Sequence, residues 1–146
     1  MKRTKLALTM LAVGLLAGSG ISYAVLHLLT VNVTISVAAP PLSPQSVAVG
    51  STSCPISAGI ATCPGLPSVY QGSSVGVVIT LTNPSTQTYT VSSTTAIPGA
   101  CTGISATDST VTILGGQTGT LTVTLSASPS ASPLLLCSIQ IGVNQA

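Results

Sequence analysis

The chain has 146 residues, of which three are Lys or Arg, one is Asp or Glu and one is His, whereas about a quarter of an ordinary domain is charged. The cations Lys2, Arg3 and Lys5 all precede an apolar run, and Asp108 is the one carboxylate side chain. Such a composition disfavours an enzyme, a metal or cofactor site, a small-molecule substrate and nucleic-acid binding, because each needs charged or ligating side chains that are scarce here.

The first 24 residues have the three parts of a secretory signal peptide. The cations form the positive n-region, Leu6 to Leu16 has the length of an apolar h-region, and Ser22-Tyr23-Ala24 resembles a cleavage site. Cleavage after Ala24 predicts a secreted, cell-surface protein that meets the membrane only during export. The alternative is an uncleaved anchor, because Leu6 to Leu29 is long enough for a bilayer span, which takes about 20 residues.

A strictly alternating stretch follows the predicted signal and indicates a strand with one buried face. Its apolar residues share that face: Val31, Val33, Ile35 and Val37. Two prolines, Pro40 and Pro41, end it because proline cannot donate a ladder hydrogen bond. We therefore divide the chain into a signal (1–24), an N-terminal strand region (25–39) and one β domain (40–146).

The remaining strands are predicted from β-branched runs that are separated by turn residues. They are Ser46–Val49, Ser74–Thr82, Gln87–Ser93, Ser109–Leu114, Gly119–Ser126 and Leu134–Val143. Asn83-Pro84-Ser85 and Gly115-Gly116 read as turns. Short, regularly spaced strands predict an all-β antiparallel sandwich. The strand–turn pattern over residues 75–83, 110–116 and 120–125 resembles that of immunoglobulin-like surface domains.

Four cysteines in an exported chain predict two disulfides. Three pairings are possible, and we favour Cys54–Cys63, which brackets a short loop, together with Cys101–Cys137. No Cys-x-x-Cys spacing is present, and the one His is far from the cysteines in sequence, so a zinc site is disfavoured. Asp108 stands among loop residues and is expected to hydrogen-bond its own backbone as a turn residue.

The N-terminal strand has two interpretations. It is either the ordinary first strand of its own sandwich or a donor strand that protrudes and completes the sheet of the next copy. Burying its four apolar side chains is worth at most about 6–12 kcal/mol, and the resulting head-to-tail contact forms an open filament. Asn32-Val33-Thr34 is the single N-glycosylation sequon and places Asn32 on the polar face.

A signal ending in Gly-Ser-Gly-Ile-Ser-Tyr-Ala24, followed at once by an alternating strand and a Ser/Thr-rich β domain, resembles the camelysin and TasA-type biofilm-matrix fibre proteins. It is similarly close to archaeal bundling pili and threads. The resemblance implies a donor-strand filament of immunoglobulin-like or jelly-roll subunits, whose partners are copies of the same chain. The rivals are a type IV pilin-like or membrane-anchored surface protein, with an apolar helix and a β head, and a monomeric carbohydrate-binding module.

Overall fold

The computed structural model describes residues 30–39, 41–63, 69–131 and 136–146. In these ranges the chain forms strands and no helix, and accordingly none of them contains a helix that is long and apolar enough to cross a membrane. The predicted signal peptide and residues 25–29 of the predicted N-terminal strand lie outside the described residues.

The described residues form eleven strands. They are β1 (Thr30–Ala38), β2 (Ser43–Val49), β3 (Thr52–Cys54), β4 (Ile56–Ser57), β5 (Ile60–Cys63), β6 (Ser74–Thr82), β7 (Tyr89–Ala96), β8 (Ile104–Thr107), β9 (Thr110–Ile113), β10 (Thr118–Ala127) and β11 (Leu136–Gln145).

The strands make two sheets that pack face to face. The first sheet has the order β4-β5-β1-β11-β7-β9, and the second has the order β3-β2-β6-β10-β8. All pairings are antiparallel except that of β1 with β11, which is parallel. The predicted all-β antiparallel sandwich is confirmed except for the parallel pairing of β1 with β11.

The core between the sheets is aliphatic, because the alternating apolar residues of each strand point to the same side. The first sheet contributes residues such as Val33, Ile35, Val91, Ile139 and Ile141, and the second contributes Val47, Val77, Ile79, Leu121 and Val123. Each of these side chains is at most 1% exposed. Together with the two disulfides, this core compensates for the lack of Trp and Phe.

Each side of the sandwich is crossed by a chain segment that leaves one sheet and joins the other. On one side β3 belongs to the second sheet and β4 to the first, with Pro55 between them. On the other side β8 pairs with β10, and β9 pairs with β7 two residues later. The outermost strands are therefore only two to four residues long.

One end of the sandwich carries the turn between β1 and β2, and we call it the upper end. There the Leu42 amide donates a hydrogen bond to the Ala39 carbonyl oxygen over 2.8 Å, which closes a tight turn. Both residues are buried. The C-terminus of β11 is at the same end, since β1 and β11 run in parallel. The lower end is where β1 and β11 begin.

Candidate assembly site around the first strand

In this single chain β1 does not protrude but lies inside its own sheet. It pairs with β11 from Thr30 to Ala38 and with β5 from Val33 to Ser36. This is the arrangement expected of an ordinary first strand. We call the place that β1 occupies, between β5 and β11, the β1 groove. Without β1, the groove would expose two unpaired sheet edges and the inner core between them.

The apolar face of β1 is the face that enters the core. Val33 and Ile35 are both 0% exposed, and Val37 is partly buried against the core. Val31 lies opposite Cys137 of β11 in the ladder. The buried face that alternation predicts is therefore confirmed for Val33 and Ile35, which are the side chains that hold β1 most tightly in register.

The two walls of the β1 groove differ in how they are held. The β11 wall keeps a second neighbour, β7, along six paired positions from Gln140 to Gln145. The β5 wall has only β4 on its other side, with two paired positions, Ile60 and Ala61. If β1 were absent, β11 would still be held by its six-position ladder with β7, whereas β5 would be held only by its two-position ladder with β4.

Each wall also carries a disulfide to another part of the domain. Cys63 of β5 is bonded to Cys54 of β3, in the other sheet, and Cys137 of β11 is bonded to Cys101. These are the two pairings that the sequence favours. Cys63 lies opposite Val33 of β1 in the ladder. The disulfides indicate an oxidising environment of the kind found outside the cytosol, and Cys54–Cys63 ties the weakly paired wall to the second sheet.

Asn32 lies on the opposite face of β1 from the core. It is paired with Ser138 of β11 and is partly exposed. The sequon therefore lies on the outer face of the first sheet, and glycosylation of Asn32 stays a prediction.

Asp108 and Ser109 stand where the chain passes from β8 to β9, and both bond to other strands. The Asp108 carboxylate accepts hydrogen bonds from the Thr95 hydroxyl (2.6 Å) and the Thr95 amide (3.1 Å) of β7. The Ser109 hydroxyl accepts one from the Thr122 amide of β10 over 3.1 Å. This differs from the local turn bond that the sequence predicts for Asp108. A strand that changes sheets leaves amides of both neighbours without a ladder partner, and these two side chains accept from them.

The pKa of Asp108 is lowered from its ordinary value of 3.8. Partial burial raises the pKa, but hydrogen bonds from the side chains of Thr95 and Ser93 and from the Thr95 amide together outweigh it. A lowered pKa in the folded state means that Asp108 stabilises the fold above about pH 4 and that this contribution is lost as the pH falls through the folded pKa.

Acid is therefore expected to destabilise this domain very little. Asp108 is exposed, so its contribution is below about 1 kcal/mol, and the chain has no other carboxylate side chain. Denaturant unfolding of the mature protein at pH 7 and pH 2 measures this difference. Asp108→Asn is expected to remove most of it, with the variant matching the wild type at pH 2. A loss of several kcal/mol in the wild type would contradict this account.

Asn83 is a buried hydrogen-bonding centre at the upper end. Its side-chain amide donates to the carbonyl oxygens of Gln87 (2.7 Å), Ile113 (3.2 Å) and Leu114 (3.2 Å). Its side-chain oxygen accepts from the Ser85 amide and hydroxyl. Sequence reasoning identified Asn83 as a turn residue but missed this role, which joins the β6–β7 loop to the β9–β10 turn.

The close approach of two loops explains a glycine in that β9–β10 turn. A Cβ atom on Gly115 would lie 2.5 Å from the carbonyl carbon and oxygen of Thr86. Gly116 next to it has a φ of 70°, which glycine adopts without strain. The predicted Gly115-Gly116 turn is thus confirmed. It packs against the β6–β7 loop, which contains Asn83.

The described ranges contain no cluster of three or more His, Cys, Asp or Glu side chains that could hold a metal ion. All four cysteines are in disulfides. The distinctive feature of the described residues is the β1 groove, in which one strand is paired on both sides. No protein-family model matches the chain, and no curated protein matches it either.

Proposed function

We propose that this protein is the structural subunit of an extracellular filament, in which β1 of each copy fills the β1 groove of the next copy. The observation that carries the proposal is the place of β1, which is the first described strand of the chain and yet an interior strand of its sheet. Once the signal at residues 1–24 is removed, as proposed, β1 lies close to the N-terminus and can leave its sheet without threading through a loop. Only the turn at residues 39–42 has to open, which is the hinge of a strand exchange.

The contacts in the β1 groove supply both affinity and register. A donated β1 makes the main-chain hydrogen bonds of the ladder and buries Val33 and Ile35, worth about 1.5–3 kcal/mol each. The same contacts are made within one chain, so the exchange replaces them rather than adding to them. Polymer formation then depends on concentration and on which strand direction the groove favours.

The short outer edges of both sheets favour growth of the filament through the β1 groove over growth by pairing at the sheet edges. Exposed long edges invite uncontrolled strand addition, whereas edge strands of two to four residues offer few free ladder positions. Asp108 is the single residue in the described ranges whose side chain carries a charge at neutral pH. Neighbouring copies therefore meet without like-charge repulsion.

The proposal includes export by the signal at residues 1–24, a mature chain that begins near Val25, and a subunit of the immunoglobulin-like or jelly-roll kind. The resemblance to matrix fibres, pili and threads implies roles in biofilm and adhesion, and these roles remain expectations. The membrane-anchored alternative requires an apolar helix that ends before β1 begins at Thr30.

A cysteine pair on the outer face of the first sheet tests strand donation in the full mature chain. Thr34 of β1 lies opposite Gln140 of β11, so Thr34→Cys with Gln140→Cys places two thiols within disulfide distance wherever β1 occupies a groove. Oxidised filaments are expected to give a ladder of covalent multimers on a non-reducing denaturing gel. Thr34→Cys alone is the control and should give none.

The same gel identifies the contrary result. If filaments form but the Thr34/Gln140 pair closes only within single chains, β1 stays in its own sheet and the proposal is wrong. If the mature protein remains monomeric at high concentration in a sedimentation experiment, the proposal is also wrong.

A further inference from the structure

We infer that the donated β1 enters its neighbour's groove in the reverse direction, antiparallel to β11, and that this reversal is what makes the assembly an open filament. The inference rests on the proposed strand donation and adds to it the orientation of the partner strand. It follows from where β1 ends, how short its connection to β2 is, and the order of side chains along β1.

The connection between β1 and β2 is too short to run along a subunit. Ala38 and Ser43 are five residues apart, so the chain between them spans at most about 17 Å. The nine residues of β1 extend over about 30 Å. Wherever a donated β1 ends in its acceptor, the upper end of the donor, where its β2 begins, must lie close to that point.

A donated strand parallel to β11 would bring two upper ends together. In the single chain β1 runs parallel to β11 and ends at the upper end. A copy of β1 inserted in that direction also ends at the acceptor's upper end, and the short connection holds the donor's upper end beside it. Two copies related in this way can exchange strands with each other, which is a closed two-fold dimer rather than a filament.

A reversed strand gives the head-to-tail arrangement. Inserted antiparallel to β11, the donated β1 ends at the acceptor's lower end, and the short connection then reaches the upper end of a donor stacked below it. Every copy in the stack has the same orientation and leaves its own groove open to the next strand. Such a heterologous contact repeats without limit.

The apolar residues of β1 are arranged almost symmetrically about Thr34. The alternating apolar residues of β1 follow the order Val31, Val33, Ile35, Val37. Reversal about Thr34 exchanges Val31 with Val37 and Val33 with Ile35. Two of these four positions therefore receive the same residue type, and the other two gain or lose one methylene group. The inward face stays inward, because reversal about a residue opposite Gln140 preserves the alternation.

The hydrogen-bond ladders favour the reversed strand. In the single chain the long ladder, from Thr30 to Ala38 with β11, is parallel, and the short one, from Val33 to Ser36 with β5, is antiparallel. Parallel pairing is slightly less stable per residue than antiparallel pairing. Reversal makes the long ladder antiparallel and the short one parallel, so the intermolecular contact is the more stable of the two.

Two cysteine pairs that share one substitution measure the direction. Ser36→Cys with Ser138→Cys brings thiols together only when β1 is reversed, because in the single chain Ser36 lies opposite Gly142, about 13 Å along β11 from Ser138. Asn32→Cys with Ser138→Cys brings thiols together only when β1 is parallel to β11. We expect a covalent multimer ladder from filaments of the Ser36/Ser138 pair and none from those of the Asn32/Ser138 pair.

The outcomes separate this inference from the proposed function. Filaments that give the ladder with Asn32/Ser138 instead would overturn the reversal and leave strand donation intact. Filaments that give a ladder with neither of these pairs, nor with Thr34/Gln140, would overturn both. Closed dimers linked through Asn32/Ser138, with no filaments, would also overturn both.

A second variant tests the reversal without any cross-link. Val33→Ile combined with Ile35→Val keeps the composition and places each side chain where a reversed strand would need it. It weakens the fit of β1 in its own groove and improves the fit of a reversed strand, so the protein concentration needed for filaments is expected to fall about tenfold. An unchanged or higher concentration, in a variant that still folds by circular dichroism, would contradict the reversal.

Discussion

Replacing Asn83 with Asp is expected to destabilise the subunit by about 3–5 kcal/mol at pH 7. The Asn83 amide donates to three carbonyl oxygens, and the side chain is fully buried. A carboxylate there has no hydrogen to donate and faces three acceptors, so its pKa would be raised above the usual range. The penalty is therefore present at neutral pH and is partly relieved as the pH falls and the group becomes protonated.

Denaturant unfolding at pH 7 and pH 3 measures both parts of this prediction. Asn144→Asp in β11 is the matched control, because it makes the same chemical change at an exposed position and is expected to cost less than about 0.5 kcal/mol. Equal effects of the two substitutions at pH 7, or an Asn83→Asp effect that does not change with pH, would show that Asn83 is not the buried centre described above.

Removing the Cys54–Cys63 disulfide is expected to reduce filament formation at least tenfold, while the single subunit still folds. With β1 in place, β5 is held by strands on both sides. With β1 donated away and the groove waiting for its replacement, β5 has only the two-residue β4 and this disulfide. Cys54→Ser with Cys63→Ser therefore leaves a groove whose β5 wall is not held in place.

The second disulfide is the matched control, and it makes the test sharp. Cys101 and Cys137 are 36 residues apart and Cys54 and Cys63 are nine apart, so chain entropy predicts that losing Cys101–Cys137 costs more stability, within a range of about 2–4 kcal/mol. We expect the opposite order for assembly, because β7 still holds β11. Filament yields that follow the order of stabilities would contradict the role given to Cys54–Cys63.

Long strands with strict alternation could be predicted from the sequence because their pattern is local. The predicted strand Ser74–Thr82 coincides with β6, and the prediction Gly119–Ser126 differs from β10 by one residue at each end. The burial of Val33 and Ile35 also follows from alternation alone. The apolar residues of these strands recur with a period of two, which is visible within the nine or ten residues of each strand.

Four short strands, β3, β4, β5 and β8, could not be predicted, because other parts of the chain determine them, whereas the four-residue β9 lies within the predicted strand Ser109–Leu114. β5 lies in a stretch rich in Pro, Ser and Gly and is a strand because it pairs with β1 and is bonded through Cys63. β8 has four residues and depends on β10. The parallel pairing of β1 with β11 joins segments about a hundred residues apart, and no local signal encodes it.

Two polar residues outside the β1 groove, Asp108 and Asn83, show the same limit. Asp108 and Asn83 have the composition of turn residues, and both do lie between strands. Asn83 makes local bonds to Ser85 and Gln87, as a turn residue does, but both residues also bond to partners distant in sequence. These distant partners are Thr95 for Asp108, and Ile113 and Leu114 for Asn83. The sequence therefore indicates that these positions are irregular, and only the packing of the two sheets shows what each side chain satisfies.

An electron cryomicroscopy map of filaments from the native material tests strand donation most directly. We expect density for residues 30–38 of each copy between β5 and β11 of the adjacent copy, joined through residues 39–42 to a β2 in a different subunit. A map in which those residues connect to the β2 of the same subunit that they pair with, or form a helix, would contradict the proposed assembly.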